Sequence, residues 1–439
     1  MNSLKITSPE QHLVIYFQVH QPKRLKAFQF FDIGSHPSYF DDKANEEIIR
    51  RIAKECYLPA NTMLLKLIGK YPQIKIAFSI SGGTLDQFEK YAPEVLDSFK
   101  FLALTGSVEF LAETNYHSLA SMLSTDEFET QIIQHAEKIY RHFGIHPNFF
   151  RNTELIYNDE IGKRVHDLGF DGIFCDGIYR ILGQQSPHFV YKHPDQDGIK
   201  ILLRNYQLSD DIAFRFNQHG STLTVAKYLA WLNAIPVHQR VVNLAMDYET
   251  FGEHHKKESG ILSFLENLLE QLATQKKFRL STPSEVIKAL PVHNTLPVPQ
   301  YVSWADQERD LSAWLGNDMQ RDAFDTLKKL ERTLKEIDNP ELLDTWRNLM
   351  TSDHFYYMST KKDDDGNVHA YFSPYASPYE AFINFMNVLS DFSLIVTREK
   401  QVHEDTIEKA NQNEFERRHE ETPVWAEKYA GSYDNGHLG

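Results

Sequence analysis

Acidic residues stand at or just after several short apolar runs of the sequence. Glu109 and Glu113 lie in GSVEFLAET, Glu154 comes two residues after PNFFRN, and Asp247 and Glu249 come after VVNLAM. If these runs are parallel strands of a barrel, their carboxyl ends meet at one rim, where the catalytic side chains of such barrels lie. Carboxylates that are buried together push one another's pKa values apart, and acid–base catalysis uses that separation. The pattern therefore predicts an acid–base site.

A strand-end carboxylate can also be a simple helix cap. Asp126 and Asp159 fit that interpretation, because each stands at the start of a helix-like stretch. Glu154 fits it less well, since residues closer to the next helix can cap it. We therefore favour a functional role for Glu154 and Asp247, whereas for Glu109 the two interpretations balance.

Other kinds of site find little support in the sequence. It contains no phosphate-binding glycine motif (G-x-G-x-x-G or G-x-x-x-x-G-K-[ST]) and no G-x-S-x-G nucleophile motif. His254 and His255 are adjacent, and neighbouring loop residues seldom direct both rings to one ion, while H-E-x-x-H and H-x-H are absent. His20, taken alone, is more typical of a core histidine. We expect no metal and no cofactor.

Composition limits the possible partners and the compartment. The chain has 439 residues, a net charge of −15 and 13% aromatic residues. So many aromatic rings suit a large core or a cleft that stacks flat ligands. The negative charge disfavours binding to nucleic acid or anionic lipid. Two cysteines, no apolar leader in MNSLKITSPEQ and no membrane-length apolar run predict a soluble, cytoplasmic protein with no membrane partner. The sequence sets no oligomeric state.

The elements that must position the acidic residues fall into two regions. The first two thirds hold apolar runs, each followed in most cases by a helix-like stretch, which is typical of parallel strands buried on both faces. This alternation predicts an α/β fold with a parallel β/α barrel of seven or eight strands. The runs are 12–19, 74–80, 107–112, 147–152, 171–175, 199–205 and 241–246.

Near residue 295 the sequence changes from short apolar runs to helical patterns. Helical patterns follow at 319–337, 340–351 and 376–395, and the polar segment 361–369 is predicted to be a loop or hairpin turn. We predict a catalytic barrel over 1–294, an α-helical region that completes the cleft over 295–400, and a charged helix or tail over 401–439.

The motifs resemble glycoside hydrolase family 57, and in particular its α-amylase-like branch. Five segments are similar to the family's signatures in the same order, and two more are similar to parts of its helical region. The five are HQP (20–22), GSVEFLAET (106–114), FRNTELIYND (150–159), MDYETFGEH (246–254) and STPSEVIKAL (281–290), and the two are SWADQERDLSAWLGN (303–317) and SDHFYYM (352–358). The resemblance implies an incomplete seven-stranded, TIM-like barrel followed by an α-helical bundle.

The resemblance also implies a reaction. It makes the chain a retaining glycosidase of α-1,4-glucans or maltooligosaccharides, with Glu154 as the nucleophile and Asp247 as the general acid and base. A 4-α-glucanotransferase or branching enzyme, and a non-catalytic glucan-binding relative, remain alternatives. His20, Glu109 and Glu249 match positions that line the sugar site.

Three further residues are expected near the substrate on the same grounds. Trp304 and Trp314 are either stacking or packing rings. Asp306 either binds sugar hydroxyls or forms a salt bridge, for which Arg309 is a candidate partner. Zinc-dependent α-mannosidases have a similar barrel with H-x-H on strand one. Here Gln18 replaces the first of those histidines, which counts against a zinc site.

Overall fold

Ten strands form one sheet in residues 11–35, 38–218 and 222–420, which the computed structural model describes. The strands are β1 (Gln11–Val19), β2 (Ile76–Ile80), β3 (Val108–Phe110), β4 (Phe149–Phe150), β5 (Gly172–Asp176), β6 (Val190–Lys192), β7 (Lys200–Arg204), β8 (Val241–Asp247), β9 (Phe278–Leu280) and β10 (Val292–Thr295).

Seven of these strands form an incomplete parallel barrel, in the order β4–β5–β7–β8–β1–β2–β3. Two pairs of neighbouring strands are each joined by a single residue pair. Strands β7 and β8 share the single register pair Arg204 and Asn243, and β3 approaches β4 through one bridge between Ala112 and Phe150. Strand β9 adds to the start of β1, while β6 runs antiparallel to β7 and carries β10. The predicted fold class is confirmed.

Helices surround the barrel and make up most of the chain after residue 311. They are α1 (Asp42–Ile52), α2 (Leu58–Lys70), α3 (Gly82–Tyr91), α4 (Pro93–Leu104), α5 (Thr125–Phe143), α6 (Asp159–Asp167), α7 (Tyr179–Leu182), α8 (Tyr206–Ala213), α9 (Val225–Ala234), α10 (Ile261–Thr274), α11 (Pro283–Ala289), α12 (Ser312–Leu315), α13 (Asp318–Ile337), α14 (Pro340–Leu349), α15 (Ser352–Tyr356), α16 (Asp363–Phe372) and α17 (Pro378–Glu420). None of the helices in these described ranges is long and apolar enough to cross a membrane.

The alternation of β1 shows why its middle, residues 13–17, is apolar on consecutive positions. Val14 and Tyr16 point into the barrel, where the Tyr16 ring stacks on Phe174 with ring centroids 5.2 Å apart. Leu13 and Phe17 point outward and pack with the surrounding helices. Both faces of the strand are therefore buried, as in other parallel sheets that helices cover.

The structure differs from the predicted elements in three places. Strands β6, β9 and β10 were not predicted, because runs of three or four residues carry little periodicity. The segment 361–369 is not a loop: α16 begins at Asp363, and three aspartates in its first turn favour a helix N-terminus. Helix α17 continues through residue 400 to Glu420, and the rest of the predicted tail lies outside the described residues.

Candidate active site

The inward face of β1 changes from apolar to polar toward its carboxyl end. After Tyr16 the inward residues are Gln18 and His20, and Gln18 pairs in register with Asp247 at the end of β8. Gln18 also pairs in register with Ser79 of β2, so the ends of β1, β2 and β8 meet at one rim, as expected for a parallel barrel. Glu154 enters this rim from the turn after β4.

Glu154 sits in a strained turn. Its φ is 56° and that of Leu155 is 50°, so two consecutive residues with side chains adopt the left-handed conformation, which is costly for them. The turn directs the carboxylate to three donors. Oε1 accepts from His117 Nε2 at 3.0 Å and from Ser352 Oγ at 3.3 Å, and Oε2 accepts from the Trp304 indole at 2.7 Å. The Glu154 side chain keeps 20% exposure, so a ligand can still reach it.

His117 connects Glu154 to a second carboxylate, Glu113. Its Nδ1 lies 2.7 Å from Glu113 Oε2, and both ring nitrogens therefore face acidic oxygens. Burial would lower the pKa of His117, but the two hydrogen-bonded carboxylates raise it to about 9. The ring is an imidazolium at neutral pH. It also stacks on His20, with ring centroids 3.8 Å apart.

Glu113 is fully buried and ionised. It accepts hydrogen bonds from Gln18 at 3.1 Å and Ser79 at 2.8 Å in addition to the one from His117. Burial alone would raise its pKa, yet His117 and the nearby Arg151 bring it to about 2. Arg151 is itself 0% exposed, and none of its side-chain nitrogens has a hydrogen-bond partner in the described part of the chain. Its charge therefore acts on these carboxylates through space.

The two predicted catalytic carboxylates differ in charge state. Burial would raise the pKa of Glu154, but the hydrogen bond and charge of His117, with the charge of Arg151, lower it. Burial raises the pKa of Asp247 to about 7, and the negative charge of Glu154 adds to that rise. At neutral pH Glu154 is ionised, while a large share of Asp247 holds a proton. This division is the one that a carboxylate pair needs for acid and nucleophile roles.

His20 and Glu249 complete the rim beside Asp247. Burial and the charge of His117 lower the pKa of His20, so the neutral ring donates from Nε2 to Asp353 at 2.9 Å and accepts from Ser81 at Nδ1. Glu249 accepts from the His20 backbone N–H at 3.2 Å and from the Tyr57 hydroxyl. Burial, then the charge of Asp247, raises the pKa of Glu249 to about 8.

Two guanidinium groups lie over the ring of Trp304, the residue that donates to Glu154 Oε2. Arg151 lies 4.9 Å and Arg204 5.5 Å from the centre of the ring. Behind it, Arg204 and Arg309 share Asp176 and Asp210 in a network of four buried or nearly buried charges. The network is fully paired, so it fixes Trp304 and with it the indole N–H that Glu154 accepts.

The sequence and the fold are those of a known enzyme family. The profile of Glycosyl hydrolase family 57 matches residues 14–299. A protein of Methanocaldococcus jannaschii named "Putative alpha-amylase" is 43% identical over 395 residues, which cover 87% of this chain and 84% of that protein. The chain belongs to glycosyl hydrolase family 57. It is accordingly a glycosidase.

Solved structures of family 57 enzymes share the fold. A branching enzyme of Thermococcus kodakaraensis aligns with a TM-score of 0.62 at 14% identity, over 82% of this chain and 87% of its own. A 4-α-glucanotransferase of Thermococcus litoralis aligns with a TM-score of 0.59 at 16% identity, over 79% of this chain and 56% of its own. At these identities the likeness shows the fold alone.

One residue of the family 57 signatures lies elsewhere than expected. Glu109 pairs in register with Ala77, one inward-facing layer below the layer of Ser79, Gln18 and Asp247. Its carboxylate accepts from the backbone and the hydroxyl of Ser284 at the start of α11. Glu109 therefore binds the first turn of α11 one layer below the rim, and Glu113 is the acidic residue of this segment that joins the rim.

Two predicted substrate contacts are also placed away from the rim. Trp314 is 0% exposed and packs beside Tyr356, which makes it a core ring. The Asp306 side chain is 3% exposed and pairs with Lys361 at 2.7 Å and with His369 at 3.0 Å. It is a salt-bridge residue as one interpretation held, although its partner is not Arg309.

The residues that sequence reasoning missed are His117, Ser352 and Asp353. His117 has a φ of 48°, a conformation that no sequence signal indicated. Ser352 and Asp353 lie in SDHFYYM, which resembles the family's helical region, but no role was assigned to them. An acidic group that could hold a cation, Asp306, Glu308 and Asp365, lies outside the rim, and the Lys361 ammonium already pairs with two of its members.

Proposed function

We propose that this family 57 enzyme hydrolyses α-1,4-glucans with retention of anomeric configuration, using Glu154 as the nucleophile and Asp247 as the general acid and base. The opposite environments of the two carboxylates carry the proposal. Three donors stabilise the charged form of Glu154, whereas burial and a neighbouring negative charge stabilise the protonated form of Asp247. The reverse assignment would need a proton on the group with the lowered pKa.

The reaction has two displacements. In the first, Asp247 gives its proton to the glycosidic oxygen while a Glu154 oxygen attacks the anomeric carbon, which forms a glycosyl ester and releases the shortened glucan. Oε2 suits the attack, because in the described residues the Trp304 indole is its one hydrogen-bond partner. In the second, the Asp247 carboxylate takes a proton from water, and the water oxygen replaces Glu154 at the anomeric carbon.

The helical region is proposed to complete the cleft. Trp304 and Ser352 both donate to Glu154, and Asp353 fixes the His20 ring. These contacts support a catalytic unit that joins the barrel of residues 1–294 to residues 295–400. We propose that His20, Glu249 and Trp304 surround the reacting sugar and hold its hydroxyls while the ring distorts.

The name of the Methanocaldococcus relative supports glucan hydrolysis, but the same two carboxylates can also serve transfer. The structurally similar proteins include a 4-α-glucanotransferase and a branching enzyme. In both alternatives a sugar hydroxyl takes the place of water in the second displacement. A glucan-binding protein without turnover is the third possibility.

Incubation with maltoheptaose and separation of the products tests the proposal. Shorter sugars alone indicate hydrolysis, longer sugars in addition indicate transfer, and an unchanged substrate indicates a binding protein. Proton NMR of the first products should show the α anomer, and a β anomer would rule out retention. The Glu154→Gln variant should lose turnover, whereas the control Glu160→Gln, at an exposed helix position six residues on, should keep it.

A further inference from the structure

Helix α16 presents two aromatic rings to solvent. Tyr371 is 60% and Phe372 36% exposed, and their rings lie edge to face with centroids 5.0 Å apart. Exposed aromatic pairs cost hydrophobic free energy unless a ligand or partner covers them. A ligand or partner that covers this pair would recover that free energy.

One side of the pair leads to α15, a helix that supplies site residues. Ser352 and Asp353 at the start of α15 bond to Glu154 and His20. One turn later, Tyr356 stacks on His369 of α16 with centroids 3.6 Å apart and meets the edge of Phe372 at 6.4 Å. Burial raises the pKa of the Tyr356 hydroxyl, and the negative charges of Asp306 and then Glu154 add to that rise.

The other side of the pair leads to the loop after β8. His254 lies edge to face with Phe372 at 5.3 Å and with Tyr371 at 6.1 Å. The His254 backbone N–H donates to the carbonyl of Glu249, so His254 lies close to a residue of the site. Glu253, next to His254, pairs with Arg51 and with Lys256, which holds the loop in place.

We propose that Tyr371, Phe372 and His254, the α16 aromatic surface, bind glucose units of the glucan chain outside the reacting subsite. This inference rests on the proposed function. The surface joins α16 to the loop after β8, and α16 packs on α15. Both α15 and that loop are continuous with site residues, so a chain that extends from the carboxylates in this direction meets the surface. Glucose rings have apolar C–H faces that stack on aromatic rings, and carbohydrate clefts need such flat partners for specificity along a chain.

The test compares long and short substrates. The Tyr371→Ala and Phe372→Ala variants should lower kcat/KM for maltoheptaose by roughly three- to tenfold each, the value of one stacked aromatic contact, and leave kcat/KM for maltotriose within twofold. Tyr140→Ala is the matched control, because Tyr140 is 49% exposed and stacks on His146 at 4.1 Å on another helix. It should change neither value.

Binding without turnover provides the second measurement. Calorimetric titration of maltoheptaose into Glu154→Gln, with and without Phe372→Ala, should show a dissociation constant that rises by a similar factor. Equal losses on both substrates, or unchanged values for maltoheptaose in both assays, would overturn the inference. Absence of turnover in the wild-type protein together with a Phe372-dependent titration would refute the proposed function and leave the surface in place.

Discussion

Removal of the His117 charge should make Glu154, the proposed nucleophile, easier to protonate. In the native protein, Glu113 holds His117 at 2.7 Å as an imidazolium, and that cation donates to Glu154 at 3.0 Å. His117→Gln puts a neutral amide in place of the ring and removes the positive charge. Glu154 then stays buried and loses the main group that opposes the effect of burial on its pKa.

The size of the effect follows from the bond that is lost. A hydrogen bond to a charged group contributes about 1.5–3 kcal/mol, and one pKa unit corresponds to about 1.4 kcal/mol, so the pKa of Glu154 should rise by about one to two units. The proposed first step needs ionised Glu154, so kcat/KM should fall as pH drops through the pKa of this group. The native acid limb should lie below pH 4.5, the ordinary value from which its pKa is lowered, and the variant limb should move to higher pH.

The assay is kcat/KM for maltoheptaose from about pH 3 to pH 8. Glu109→Gln is the control, because this glutamate lies eight positions before His117 and bonds to Ser284 rather than to His117. Its profile should keep the native acid limb. An unmoved acid limb in His117→Gln, or a loss of activity that is the same at every pH, would refute the role of His117 in lowering the pKa of Glu154.

Three further predictions concern the same site. With an activated aryl α-maltooligoside, Asp247→Asn should accumulate a sugar ester on Glu154, which intact-mass measurement detects, and azide should restore its turnover. If azide rescued only Glu154→Gln, the two roles would be reversed. Native kcat/KM should fall above about pH 7, because Asp247 then loses its proton, and this limb should persist in Glu249→Gln, whose own group titrates near pH 8. Activity should survive exhaustive EDTA treatment, since the nitrogens of His20 and His117 already bond to protein groups, and a loss that zinc restores would contradict this.

The strand ends could be predicted from the sequence because burial on both faces makes parallel strands apolar throughout, so a carboxylate that interrupts such a run stands out. Glu154 and Asp247 were found in this way, and the structure brings both to the rim. The choice between Glu109 and Glu113 could not be made on the same basis. They are four residues apart, and every second residue of a strand faces the same side, so both are predicted to face inward. Only the end of β3 at Phe110 decides which one reaches the rim.

The two tryptophans show a second limit of sequence reasoning. Trp304 and Trp314 lie in one segment with similar surroundings, yet the first donates to Glu154 and the second is buried beside Tyr356. The difference arises from packing between distant parts of the chain. Arg151 directly follows β4, Arg204 ends β7, and both lie over the Trp304 ring, while Trp314 in α12 packs in the helical core. Neither contact has a local signature in the sequence.

The environment of Glu154 depends on both regions of the protein, which argues against a barrel that acts alone. His117 and Arg151 come from the barrel, and they supply the positive charge that opposes burial. Trp304 and Ser352 come from the helical region, and their N–H and O–H groups bind the two carboxylate oxygens. Without the second pair Glu154 would be more exposed to water and free to rotate, so the strained turn at φ 56° would hold a less defined carboxylate. The helical region thus sets the direction of the Glu154 carboxylate, the proposed nucleophile, and the barrel sets its charge.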